Sequence, residues 1–201
     1  MIAALYVKTG GPYFNLEGVD PWDTTRDARL YAGPFPVVAH PPCSRWCRLA
    51  GLVEARWGHK RGEDDGCFEA ALKAVRQYGG VLEHPAYSDA WAAYELNKPP
   101  TGGGWVNADF EGGWTCYVEQ GRYGHPAKKA TWLYAHGVEL PLLRWGHVPD
   151  TEVKALVSWC GNKTRGGGES RQRMTDDQRL GTPESFRDEL ISLANSVNSE
   201  R

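Results

Sequence analysis

Three short apolar runs in this chain stop abruptly, the first at a Gly-rich turn and the other two at prolines, and that punctuation limits the possible folds more than any other feature. Residues 2 to 7 (Ile-Ala-Ala-Leu-Tyr-Val) lead into Lys8-Thr9-Gly10-Gly11-Pro12; Pro36-Val37-Val38-Ala39 meets His40-Pro41-Pro42-Cys43; Val81-Leu82 meets Glu83-His84-Pro85. Proline has no N–H to give to a sheet ladder, so a buried inner strand ends where these motifs begin. Cys43 and Glu83 are therefore expected at strand tips. Between the second and third runs, Phe68, Ala71, Leu72 and Val75 recur at helical spacing, with Asp64 or Asp65 as N-cap and Gly79-Gly80 as C-cap. Strand, helix, strand with polar groups at the strand ends is an α/β arrangement.

Downstream, Ser88 to Leu96 reads as a short helix and Lys98 to Gly104 as a Pro/Gly linker. Residues 104–108, 114–119 and 130–135 are β-prone and close together, which predicts an antiparallel extension of the sheet. Residues 161–173 carry four basic side chains and no apolar one, a basic loop. Thr182-Pro183 predicts a helix start, and Phe186, Leu190, Leu193, Ala194 and Val197 make one apolar stripe over residues 183–197. No internal repeat is present. The expectation is one α/β, Rossmann-like domain over residues 1–201, with a mixed, mainly parallel sheet.

Composition narrows the function classes. With 23 Lys plus Arg against 25 Asp plus Glu, the net charge of -2 excludes a generally polycationic coat, so any nucleic-acid contact needs a local patch. No run approaches the roughly 18 apolar residues of a membrane span, and the first residues are too short and interrupted for a signal peptide, so a soluble, intracellular protein is expected. Five irregularly spaced cysteines fit free thiols better than a disulfide framework. The 24 Gly and 13 Pro imply many turns, and the 9 Trp offer core packing and one or two stacking surfaces.

Three motifs carry the candidate chemistry: Pro41-Pro42-Cys43, Glu83-His84-Pro85, and Tyr123-Gly124-His125-Pro126 followed by Lys128 and Lys129. In order and spacing this set, within residues 36–135, resembles the cytosine-C5 DNA methyltransferases, and most of all their short phage- and prophage-borne branch, with its His-Pro-Pro-Cys loop, Glu-x-Pro segment and Gly-His-Pro strand. The resemblance implies a methyltransferase-like fold and a DNA partner in a bacterial or phage-infected cytoplasm. It further implies S-adenosylmethionine or a derivative as cofactor, and no metal.

By this resemblance Cys43 is the thiolate that attacks C6 of a flipped cytosine, Glu83 the proton partner at N3, and Lys129 the cation of the family's first Arg position. Chemistry agrees, because C5 becomes nucleophilic only after a thiolate adds to C6, and the charge then collects at N3 and O2. Arg45 or Arg48 is expected to lower the Cys43 pKa, and a carboxyl beside His84 in an apolar pocket to have its own raised. Pro42, His84, His125, Arg45 and Lys128 are the expected base or substrate contacts. Gly10, Gly11 and Asp20, with Asp23 as an alternative acid, are the expected cofactor residues. Lys163, Arg165, Arg171 and Arg173 are the expected DNA-phosphate contacts.

Against the family pattern, His84 replaces an Asn, and Ala127 and Thr131 replace a Gln and an Arg. Only about 40 residues separate the first strand from Cys43, where the family has two further strand-helix units, so a reduced cofactor half is expected. Three other readings stay open. The same thiolate chemistry can serve a different carbon donor, a modified S-adenosylmethionine or a folate, in phage base hypermodification. A DNA-binding or decoy protein can keep the pocket without turnover. His40, Cys43, Cys47 and Cys67 have a spacing that permits zinc.

Overall fold

The computed structural model describes residues 1–47, 50–156 and 172–197. Its strands are β1 Ile2–Leu5, β2 Val19–Trp22, β3 Val37–Ala39, β4 Gly80–Pro85, β5 Val106–Asn107, β6 Trp114–Glu119, β7 Ala130–His136, β8 Ala155–Leu156 and β9 Gln172–Arg173. The helices are α1 Ala50–Trp57, α2 Cys67–Tyr78, α3 Asp89–Ala93, α4 Asp176–Leu180 and α5 Glu184–Asn195. Seven strands form one sheet in the order β2-β1-β3-β4-β7-β6-β5. The first four are parallel and the last three antiparallel, so the chain is α/β with a mixed, Rossmann-like sheet. The short parallel pair β8 and β9 stands apart. Among the described residues no helix is long and apolar enough to cross a membrane.

Strand alternation sorts the apolar residues onto two faces. Leu5, Val37, Ala39, Leu82 and Trp132 pack with α2 and α3 through Phe68, Leu72, Val75 and Trp91. Ile2, Ala4, Val38, Val81 and Leu133 pack with α5 through Phe186, Leu190 and Leu193. The sheet is thus covered on both sides, as a parallel sheet requires.

The helix signals resolve with small shifts. Asp64 caps α2 from a distance, its carboxylate accepting from Phe68 N (2.8 Å) and from Trp46 Nε1 (2.8 Å). Gly80 opens β4 so close to β3 that a side chain there would run into the Val37 carbonyl. Ser88 caps α3 by accepting from Ala90 N (3.1 Å). Ser88→Ala is expected to cost about 1 kcal/mol of stability, read from the denaturant midpoint. In α5 it is Pro183 that occupies the cap, one place later than expected.

Two expectations change. Glu83 does not sit past a strand tip. β4 runs on to Pro85 because β7 pairs with it antiparallel, Glu83 opposite Leu133 and His84 opposite Trp132, while β3 leaves the sheet after Ala39. Glu83 therefore lies where a parallel neighbour has just ended. Of the basic loop, Lys163, Arg165 and Arg171 lie outside the described residues, and Arg173 belongs to the backbone of β9. The edge strand β2, with Pro21 inside it, and helix α1 had no clear signal.

Candidate active site

The end of β3, the middle of β4 and the start of β7 meet on the α5 face of the sheet. His40, the first residue after β3, is tied back by its N–H to the Leu5 carbonyl (3.0 Å). Its ring points across to β4, where Nδ1 lies 2.9 Å from Glu83 Oε2. The carboxylate is an acceptor, so Nδ1 carries the proton and donates. On its other side His40 Nε2 lies 2.8 Å from the Tyr13 hydroxyl. Gln120, just past β6, donates through Nε2 to Glu83 Oε1 (3.0 Å) and to Thr131 Oγ1 (3.0 Å). Glu83 is thus gripped on both oxygens.

This grip decides its charge. Burial alone would raise the Glu83 pKa, but the His40 hydrogen bond and the positive charges of His40 and Lys129 outweigh it and hold the carboxyl down to about 2. The expected rise is therefore reversed: at neutral pH Glu83 is a carboxylate. Cys43 is moved the other way. Burial, then the neighbouring Cys47 and Glu83, push its thiol up to about 11, against a smaller pull from Lys129. Arg45, the expected activator, contributes instead its carbonyl, which accepts from Gly62 N (3.0 Å); Arg48 lies outside the described residues.

Lys129 completes the cluster. It occupies a left-handed backbone position (φ 43°), an uncommon one for lysine. Its ammonium donates to the carbonyls of Leu180 (3.3 Å) and Gly181 (2.6 Å). Burial lowers its pKa, and the charges of Glu83 and Cys43 partly restore it. Cys43, Glu83 and Lys129, from three separate stretches of sequence, therefore lie within one another's electrostatic reach. At neutral pH Cys43 is a thiol and Glu83 a carboxylate, with the Lys129 amine beside them.

Several expected contacts lie elsewhere. His84 follows Glu83 in the strand and so faces the opposite side, its ring beside Phe68 (5.2 Å) and Trp91 (6.2 Å). It is fully buried and neither ring nitrogen has a hydrogen-bond partner among the described residues, although the Pro42 carbonyl is near enough to favour the charged form slightly. Burial foremost pushes its pKa down to about 4. His125 holds its own turn together: Nδ1 accepts from Ala127 N (3.1 Å), and Nε2 donates to the Gln178 carbonyl (3.1 Å). Lys128 points away from Lys129 and pairs with Asp150 (2.9 Å). Pro42 is exposed in the nucleophile loop. A cavity of about 350 Å³ behind the Gly-His-Pro turn is lined by Gly121, His125, Val148 and Lys154, and includes none of Cys43, Glu83 and Lys129.

These shifts give the protein an acid limb. His84 has a folded pKa below its unfolded value, so its contribution is present above about 6.5 and is lost as pH falls towards 4. Glu83 is also depressed, so its contribution is lost lower, between about 4.5 and 2. Urea midpoints are expected to drop between pH 7 and 4, by up to about 3 kcal/mol in stability, and His84→Phe is expected to flatten that limb.

The expected cofactor residues do not form the site that the resemblance implies. Such a site needs a free acid at the C-terminal end of β2. Asp20 pairs with Ala3, well before the strand's end, and its carboxylate is taken by Arg26 and by Trp22 Nε1 (2.8 Å). Asp23, at the strand's end, accepts from Thr9 Oγ1 (2.6 Å), Thr25 N (2.9 Å) and Thr25 Oγ1 (2.7 Å). Gly10 has open space above it and a positive φ, whereas Gly11 is hemmed in by the Lys8 carbonyl. The zinc set does not converge either. Both ring nitrogens of His40 are engaged, and Cys67 lies on the α2 side beside Asp64 and Arg29.

Sequence reasoning missed Tyr13 and Gln120, and weighed His40 only as a zinc ligand. The one signal for Gln120 was a polar Glu119-Gln120 pair closing an apolar strand. No family model, curated protein or solved structure matches this chain.

Proposed function

We propose that the protein transfers a carbon group to C5 of cytosine in DNA, through a covalent adduct between Cys43 and C6 of the base. The observation that carries this reading is the convergence of a thiol, a carboxylate and an ammonium in the family's order: Cys43 after β3, Glu83 on β4, Lys129 at β7. Because the thiol holds its proton at neutral pH, the attack and the proton transfer have to be coupled. As the Sγ–C6 bond forms, the thiol proton passes to Glu83, and the C5=C6 electron pair is displaced into the ring towards N3 and O2. Glu83 hands that proton to N3, and Lys129 supplies positive potential where the charge collects. C5 then attacks the electrophilic carbon of the donor, whose leaving group departs with the bonding pair. N3 returns its proton to Glu83, a base removes the C5 proton, and re-forming C5=C6 expels the Cys43 thiolate, which regains a proton.

Such chemistry needs the base swung out of the stack. On this reading the basic side chains Lys163, Arg165, Arg171 and Arg173 hold the phosphates, and binding weakens steeply with salt.

A second reading, favoured by the engaged carboxylates of Asp20 and Asp23, keeps the adduct and changes the donor: a carbon donor other than S-adenosylmethionine. Nucleoside mass spectrometry of DNA from cells expressing the protein tests both. A gain of one CH2 on deoxycytidine supports methyl transfer and a larger gain the second reading. Unmodified deoxycytidine, with DNA affinity unchanged in Cys43→Ser, would leave only a binding protein.

A further inference from the structure

The hold on Glu83 extends beyond the residues that the reaction uses. His40 is fixed at the mouth between β1 and β3 by its backbone bond to Leu5, and its ring bridges Glu83 Oε2 (2.9 Å) and the Tyr13 hydroxyl (2.8 Å). Tyr13 is enclosed and lies tilted against the imidazole with ring centroids 5.2 Å apart. It belongs to the loop after β1, and α5 pins that loop through Arg187 Nη1, which donates to the Pro12 carbonyl (2.8 Å). β1 lies between β2 and β3, so the loops after β1 and β3 leave the sheet at the point where strand order reverses, the place where open parallel sheets bind ligands.

We propose that His40, backed by Tyr13, is a positioning residue for Glu83: it sets the orientation of the carboxylate, supplies its resident hydrogen-bond donor, and links it to the loop after β1. The proposal rests on the reading of Glu83 as the proton carrier. Every element around the carboxylate contributes a group. His40 comes from the β3 loop, Cys43 from the same loop, Lys129 from the turn just before β7 and His84 from the far face of β4; Arg187 and Asp188 on α5 act on Tyr13. Gln120 and Thr131 are uncharged. Of the titratable groups, His40 is the one hydrogen-bonded to the carboxylate among the described residues. That makes its contribution separable from the general field of Lys129.

Two variants separate the roles of its nitrogens. In His40→Asn the amide nitrogen replaces Nδ1 and keeps a donor for Glu83; in His40→Gln it falls at the Nε2 position, beyond reach of the carboxylate. The primary readout is the Glu83 carboxyl titration by 13C NMR of glutamate-labelled protein, assigned by the signal lost in Glu83→Gln. We expect the Glu83 midpoint to rise by at least one pH unit in His40→Gln, a tenfold change in proton affinity. It should stay near wild type in His40→Asn and rise by a smaller step in Tyr13→Phe. The acid limb of adduct formation with 5-azacytosine DNA should move in parallel. An unchanged midpoint in His40→Gln, or equal shifts in His40→Gln and His40→Asn, would overturn this positioning role. Because the NMR titration needs no DNA, it judges that role even where the wild-type protein forms no adduct, a result that would count against the proposed function alone.

Discussion

Glu83→Gln is expected to slow turnover by about 10²–10⁴-fold, and at the same time to make Cys43 more reactive towards a simple alkylating agent. The two effects have one cause. On the proposed function the carboxylate accepts the thiol proton and carries it to N3, and an amide can do neither. Its negative charge is also one of the groups that push the Cys43 thiol up to about 11, so its removal favours the thiolate. Iodoacetamide labelling against pH is expected to show the Cys43 midpoint moving down in Glu83→Gln, while the rate on DNA falls. A parallel loss of labelling and turnover would show that Glu83 merely supports the loop. The glutamine is close to isosteric, and Gln120 can turn its own amide to meet it, so a fold near wild type is expected.

What local sequence can and cannot reveal is well separated here. The period of Phe68, Ala71, Leu72 and Val75 identified α2, and the prolines after Ala39 marked the end of β3, because both are dictated by residues within one turn or one ladder step. β2 was missed because Val19-Asp20-Pro21-Trp22 is half-exposed on an edge, where a proline is tolerated and alternation is weak. His84, expected among the base contacts from its place in the Glu-x-Pro segment, is turned away because Glu83 lies inside β4 and not at its tip. Placed inside a strand, adjacent residues must face opposite sides, and the long-range partner that keeps β4 in the sheet is β7, some fifty residues on. The same holds for charge. Whether burial or the His40 hydrogen bond wins at Glu83 depends on His40 and Lys129, which only the strand order β1-β3-β4-β7 brings up to it. Asp20 shows the converse: its residue type suits a ribose, and its neighbours Arg26 and Trp22 take it out of use.

Cys43→Ser is expected to remove covalent chemistry entirely, a larger effect than any other single change. A serine hydroxyl in the same buried setting is far less acidic than the thiol and has no base strong enough to ionise it, so addition to C6 fails at its first step. The substitution is nearly volume-neutral at a partly buried loop position, and on the proposed function DNA affinity is expected to persist, because that reading assigns the phosphates to other residues. Cys47 and Cys67 provide internal controls: Cys47 neighbours Cys43 and tests whether nearness alone suffices, and Cys67 lies on the α2 side beside Asp64 and Arg29. The most direct measurement uses duplex DNA carrying 5-azacytosine, whose ring takes up a thiol at C6 without any carbon donor, followed by denaturing electrophoresis and peptide mapping. The account predicts a DNA adduct on the Cys43 peptide in wild type and in Cys47→Ser, and none in Cys43→Ser; the absence of an adduct in wild type, or its attachment to another residue, would contradict it.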